Sequence, residues 1–415
     1  MKFNKKIIDV LLKRFLTSLG IIALIRFGTF LPVPGVNHSD LAFYIQRHSV
    51  AKSLVSTFSG DNTFVIGLFT LNIFPYINAT IFVQLLTGFS PQLGKLQKEG
   101  DFEGRRSLSR ITRILTLVFA VFQAGSVAFY LRQVLFDWNL GLALEIVLWL
   151  TTGAMIILWL SELITEHGLG NGASLLIYIN IISNLPNLCK NIIFENSENF
   201  TLLSVISLSL LIFLSFYGIV FLQEGVRKVP LISAKQLNQT SLLDSVDSYL
   251  PVRFNQAGVM PIILTTALLV LPNYLINNIP SLSSLVSAFS GLGFLYWIVY
   301  FVLILGFSSF YSSIVLNPKD ISEQLQKLAV AVPGIRPGIE TTFYLKRVIK
   351  RVTLLGAIML ATITILPNFI ESALNITSLN GLSTTSFLIL AGVVLDLIRE
   401  INNIYYSNVY NNKSQ

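Results

Sequence analysis

Residues 144–164 read LEIVLWLTTGAMIILWLSELI, an apolar run whose only charges, Glu145 and Glu162, stand toward its two ends. A run of this length crosses the ~30 Å hydrocarbon core of a bilayer when it is helical. Helix is the element that fits, because every backbone polar group in lipid must be satisfied within its own segment, and a barrel strand would alternate apolar with polar residues. Working outward, comparable runs recur near 16–34, 64–88, 112–132, 173–193, 203–222, 257–275, 292–313, 348–368 and 385–402. The expected fold class is therefore all-α: a polytopic membrane protein of about ten transmembrane helices. Composition agrees, since 53% of the 415 residues are hydrophobic and only 12% charged, against about 25% charged in a soluble chain. No soluble domain is left over.

The first run follows Lys2, Lys5, Lys6, Lys13 and Arg14, the pattern of a secretory signal peptide. No small-x-small cleavage motif comes after it, and the chain continues into Leu-Pro-Val-Pro-Gly at 31–35, so a retained first span is the favoured reading. Cys189 is the single cysteine, which excludes an internal disulfide and a thiolate metal cluster. His38, His48 and His167 lack metal-ligand spacing.

With ten spans the loops alternate between two sides, and the Lys and Arg residues sort unevenly between them. The side of the N-terminus collects five before the first span, six between 91 and 113, four between 222 and 255, seven between 315 and 351 and two at the C-terminus. The other side holds Arg47, Lys52, Arg132 and Lys190 at or beyond span ends, and Arg26 is the one cation expected within the membrane. By the positive-inside rule both termini are expected on the cytoplasmic or stromal face. The loops 222–256 and 314–347 make that face a candidate docking surface for an acidic protein, ribosomal RNA or anionic lipid, though basic loops also serve topology alone.

Active-site chemistry is missing. The nearest phosphate-loop pattern, Gly88 to Leu96, has the wrong glycine spacing and Leu96 where Ser or Thr is needed. The spans carry no mid-membrane Asp or Glu of the kind that couples a transporter to ions. Arg26 is expected to snorkel to the far interface. Asn72, Asn78, Gln84 and Gln123 each need a partner within the bundle or a wet cavity.

Several long blocks resemble the SecY family of protein translocase subunits: FLPVPG at 30–35, FPYINATIFVQLLTGFSPQLGKLQKEG at 74–100, EHGLGNGASLLIYINIISNLP at 166–186 and SYLPVRFNQAGVMP at 248–261. A fifth runs from FYSSIVLNPKD to KRVIKRVTLLGA over 310–357. The resemblance covers residues from about 10 to about 400. It implies two pseudo-symmetric five-helix halves, residues 1–195 and 196–415, around a central pore and clamped by the small subunit SecE.

The positions matching the family's pore ring are Ile73, Ile77, Ile177, Ile181, Ile263 and Val394, all β-branched aliphatics. A narrow apolar collar of this kind dewets and blocks ions while a flexible chain can still pass. Residues 57–65 match the plug, with Phe58, Ser59, Gly60, Asp61, Asn62, Thr63 and Phe64 at its centre. Asp61 and Asn62 replace the small residues usual there, and Asn72 and Phe74 stand where Gly and Met are common. Gln84 and Asn255 match polar positions of a lateral gate that would release apolar segments into lipid. Arg227, Lys228, Lys235, Arg253 and Arg336 match the surface used by the SecA motor and by ribosomes.

The resemblance thus implies a passive channel without cofactors, driven by SecA, a translating ribosome or an ion gradient. Unfolded preproteins with signal sequences are its cargo, with membrane lipid and a SecG-like subunit as further partners. Two other readings are a small-solute transporter, which requires a charged midplane site, and an assembly scaffold with an empty pore. An Asn-, Ile- and Lys-rich composition with short far-side loops favours the thylakoid membrane of a plastid, such as a chloroplast, over a bacterial inner membrane.

Overall fold

The computed structural model describes residues 5–34, 67–89, 102–131, 139–195, 202–233, 248–268 apart from 257, 259, 263, 266 and 267, then 294–374 and 384–413. Its helices are α1 Lys5–Thr29, α2 Phe74–Phe89, α3 Phe102–Leu131, α4 Leu140–His167, α5 Gly172–Glu195, α6 Leu202–Glu224, α7 Phe294–Val315, α8 Pro318–Lys327, α9 Ile339–Leu374 and α10 Thr384–Lys413. Four short strands accompany them: β1 Val226–Pro230, β2 Ile232–Ser233, β3 Tyr249–Arg253 and β4 Val330–Ala331. Among the described residues, Arg106–Phe129, Leu140–His167, Tyr296–Lys327 and Ile339–Leu366 are long and apolar enough to cross a membrane. The chain forms two compact units, residues 1–193 with 393–415 and residues 194–392.

In the first unit α3 packs against both α2 and α4, and α1 packs against α4. The inward face of α3 is a stripe of small residues, Ala120, Ala124 and Ala128, all buried. Small residues let helix backbones approach closely, which matters where lipid removes the hydrophobic drive between helices. Arg113 Nε donates to Glu162 Oε1 at 2.8 Å, tying the ends of α3 and α4 at a partly exposed edge. Gln123 Oε1 and Thr151 Oγ1 are buried with no hydrogen-bond partner among the described residues.

Four spans start well away from the starts of their apolar runs. In the second, Gly67 forms a bridge, residues 68–73 form turns and α2 opens only at Phe74. Asn72 adopts a left-handed φ of 48°, which breaks a helix and which Asn tolerates better than most residues. Its Oδ1 accepts the Ile73 N–H at 2.8 Å, and Pro75 sits in the first turn, where its missing N–H costs nothing. Gly67–Ile73 is fastened on both flanks. Leu68 N–H donates to the Leu31 carbonyl at 2.9 Å, Pro32 bridges to Gly67, Gly28 leaves room for the Phe69 ring, and Gly153 of α4 leaves room for the Leu68 carbonyl.

The first, third and ninth spans begin earlier than expected, α1 at Lys5, α3 at Phe102 and α9 at Ile339. Their leading residues are rich in Arg and Lys, good helix formers that let the helix continue beyond lipid. In the first unit the loop after α4 docks on α1. Leu169 N–H donates to Ser18 Oγ at 2.8 Å and Thr17 Oγ1 to the His167 carbonyl at 3.1 Å.

Among the described residues the second unit shows two cores. One joins Ile219 and Leu222 of α6, Tyr300 and Ile304 of α7, Leu360 and Ala361 of α9, Leu388 and Ala391 of α10, and Ile262 from the segment before α7. The other joins Val229 of β1, Val252 of β3, Leu325 of α8, Val332, and Leu345, Val348, Ile349 and Val352 of α9. A buried 2.6 Å hydrogen bond between Ser312 and Thr353 fastens α7 to α9.

The strands depart from a purely helical expectation. β1 pairs antiparallel with β3, Val226 opposite Arg253 and Pro230 opposite Tyr249, and β2 pairs with β4. The ribbon forms because Val229 and Leu250 share one face with Val252, a period-two apolar pattern too short to stand out in sequence.

Candidate pore, gate and docking surface

Ile73 and Ile77 lie one turn apart, both buried, with the Ile77 N–H bonded to the Ile73 carbonyl at 3.1 Å. Ile177 and Ile181 repeat the spacing on α5 and are partly buried. Val394 is partly buried on α10 within the same compact unit. Ile263 lies outside the described residues, as does the whole plug segment 57–65.

Arg26 is where the structure corrects the sequence reading. Instead of snorkelling to the interface, its Nη2 donates at 2.8 Å to the Ile179 carbonyl of α5, and the side chain is partly buried. Nothing in the sequence pairs these residues, 153 positions apart.

Of the two gate candidates, Gln84 is partly buried on α2, where Thr87 Oγ1 donates to the Gln84 carbonyl at 2.8 Å. Asn255 closes a local turn, its Nδ2 donating to the Gly258 carbonyl at 3.0 Å.

The basic loops are built into one scaffold. The β2–β4 pairing, Ile232 opposite Ala331, joins loop 222–256 to loop 314–347, and the Val229, Val252, Leu325, Val332 and Leu345 core holds both onto α9. Lys228 and Arg253 share the outer face of the β1–β3 ribbon, whereas Arg227 is opposite Val252 on the other face; all three are exposed. Lys228 Nζ stands 4.8 Å from the centre of the Tyr249 ring, a cation–π contact.

Arg336 is exposed at the head of a turn framed by Gly334 at φ 75° and Gly338 at φ 107°, conformations that favour glycine. Thr341 Oγ1 donates to the Arg336 carbonyl and Ser322 Oγ to the Gly338 carbonyl, each at 2.8 Å. Lys235 lies outside the described residues. Sequence reasoning did not single out the exposed Lys346, Arg347, Lys350 and Arg351 on α9. Their signal was the i, i+1, i+4, i+5 spacing in KRVIKR, which puts cations on one helix face.

Among the described residues no group of three or more His, Cys, Asp or Glu is placed to hold a metal. Apolar helices packed through small residues, an intramembrane cation held by a backbone carbonyl and a basic surface together define a polytopic α-helical membrane protein.

The chain belongs to the SecY family, whose model matches residues 67–398. A Trieres chinensis protein called protein translocase subunit SecY is 59% identical over 413 residues, covering 97% of each chain. One of the same name from Guillardia theta is 44% identical and covers 96% of this chain and 95% of its own. A solved SecY structure, described by a plug domain that stabilises the closed state of its translocation channel, matches with a TM-score of 0.66 at 16% identity. It covers 96% of this chain and 93% of its own. At that identity the likeness concerns the fold.

Proposed function

We propose that this chain is the channel-forming subunit of a Sec translocase, passing unfolded polypeptides across a membrane and releasing hydrophobic segments sideways into lipid. The family match across the length of the chain carries this reading. The protein is not an enzyme; energy comes from a SecA-type motor hydrolysing ATP, from a translating ribosome or from an ion gradient.

Residues 1–195 and 196–415 form the two halves, clamped by a SecE-type subunit with or without a SecG-like one. Ile73, Ile77, Ile177, Ile181, Ile263 and Val394 form the ring, and 57–65 the plug. Gln84 and Asn255 form the gate contact, which releases a signal sequence at a cost of order 1 kcal/mol. Arg227, Lys228, Lys235, Arg253 and Arg336 dock the motor or the ribosome, supported by the single scaffold that joins the two basic loops. The membrane is the plastid thylakoid with both termini stromal, in keeping with the Asn- and Lys-rich composition and with relatives of plastid and algal origin; a bacterial inner membrane is the alternative.

The test joins Cys189→Ala with Ile177→Cys in a chain reconstituted with SecE and SecA. A stalled, cysteine-bearing preprotein forms a disulfide with residue 177 that depends on ATP and on the signal sequence. Intact translocation without that crosslink removes Ile177 from the pore.

A further inference from the structure

An arginine within a membrane span is costly and is retained where it has a specific partner. Arg26 is that residue here, and its partner is the backbone of α5. The depth of the contact follows from the packing. Ser18 of α1 receives the Leu169 N–H just before α5 begins at Gly172. Counting 1.5 Å per helical residue from there, Arg26 along α1 and Ile179 along α5 both lie about 12 Å further into the membrane. The 2.8 Å bond between them is therefore an intramembrane contact between two segments that are also tied at Ser18 and Leu169.

The acceptor's place in α5 gives the contact its meaning. Ile179 lies midway between Ile177 and Ile181, the two residues this helix is proposed to give to the ring. A carbonyl oxygen has two lone pairs, so Ile179 can take the guanidinium alongside its own helical bond. Further on, Pro186 lacks the N–H that would bond the Ile182 carbonyl, which weakens the backbone ladder of α5. A helix interrupted there is easier to displace, and a charged donor one turn before the interruption resists that displacement.

We propose that Arg26 is a positioning residue that holds the Ile177–Ile181 stretch of α5 against α1 in the closed channel. The inference rests on the pore assignment above and adds a part that touches neither cargo nor ring. Loss of the bond frees α5 to move, so the empty channel leaks ions, while a stretched-open channel carrying cargo is little affected.

The experiment compares Arg26→Met, Arg26→Gln and Arg26→Lys with the unaltered chain in vesicles of equal channel content, reading ion conductance without cargo. Arg26→Met raises the leak about tenfold, the factor that one lost charge-assisted hydrogen bond supplies. Arg26→Lys, which keeps a cation and a donor, stays within about threefold of the unaltered chain. Should Arg26→Met fail to accumulate, Arg26→Gln carries the same expectation at smaller size. A leak in Arg26→Met or Arg26→Gln equal to that of the unaltered chain, or an equally large leak in Arg26→Lys, overturns the proposal. Cargo crosslinking at Ile177 separates the two failures: a crosslink with silent Arg26 variants removes only this inference, and a missing crosslink removes the pore reading beneath it.

Discussion

Helix α3 and the core under the basic loops bury opposite sets of residues. On α3 the large side chains Ile114, Leu117, Val118, Val121, Phe122 and Phe129 face outward, while Ala120, Ala124 and Ala128 are hidden. Beneath the basic loops Val229, Val252, Leu325, Val332 and Leu345 are buried, and the cations around them are exposed. Each arrangement suits its solvent. Water drives aliphatic side chains together, at roughly 25 cal/mol per Å² of apolar area. Lipid offers no such gain, so helices associate there by close backbone approach. Helix α9 joins two cores, its first turns over the loop core and its later residues Leu360 and Ala361 with Ile304 of α7, so the small-residue stripe is a feature of α3 and not of every apolar helix.

Substitutions can break or sharpen that contrast. Leu345→Ala has the largest expected effect, about 3 kcal/mol, because it removes a fully buried side chain from the core that faces water. Urea unfolding followed at the basic loops, by protease sensitivity near Arg336, detects it while the hairpin stays intact. Ala124→Leu inverts the experiment by adding volume to a closely packed lipid-side interface, and costs about 2 kcal/mol in a detergent unfolding assay. The same addition at outward-facing Val121 is neutral, and equal losses at both positions would refute the small-residue account. Thr353→Val removes the hydroxyl bonded to Ser312 and costs about 1 kcal/mol in the same assay.

Smaller effects probe the polar groups. Arg113→Gln costs less than about 0.5 kcal/mol, because the pair it breaks with Glu162 is partly exposed. Gln123→Leu leaves stability unchanged or slightly raised, since its buried Oε1 already lacks a partner. A loss of more than about 1 kcal/mol there would mean that a water or a companion subunit satisfies the amide.

The membrane class was legible because twenty apolar residues in a row have few other structures to adopt, and the charge asymmetry ordered the loops. What escaped the sequence depends on contacts between distant segments. The β1–β3 ribbon needed Val229 and Val252 to meet a core supplied by α8 and α9, which no window of a few residues contains. The helical extension of α9 was hidden by its charges, since hydropathy marks the lipid portion of a helix and not its end. The late start of α2 turned on the single left-handed residue Asn72. At the candidate site the aliphatic ring and gate positions were visible only through resemblance, for isoleucines in a hydrophobic helix carry no signature of their own. Arg26 was conspicuous, but its acceptor is a backbone carbonyl, and carbonyls leave no trace in a sequence.

The turn from Gly67 to Ile73 also has a mechanical meaning. It is riveted to the end of α1 on one flank and to Gly153 of α4 on the other, and its kink at Asn72 means that it does not continue the axis of α2. A pull on the chain ahead of Gly67 is therefore borne by α1 and α4, as a strain relief bears the tug on a cable. The helix that follows keeps its register, so Ile73 and Ile77 stay in place when their upstream neighbours move.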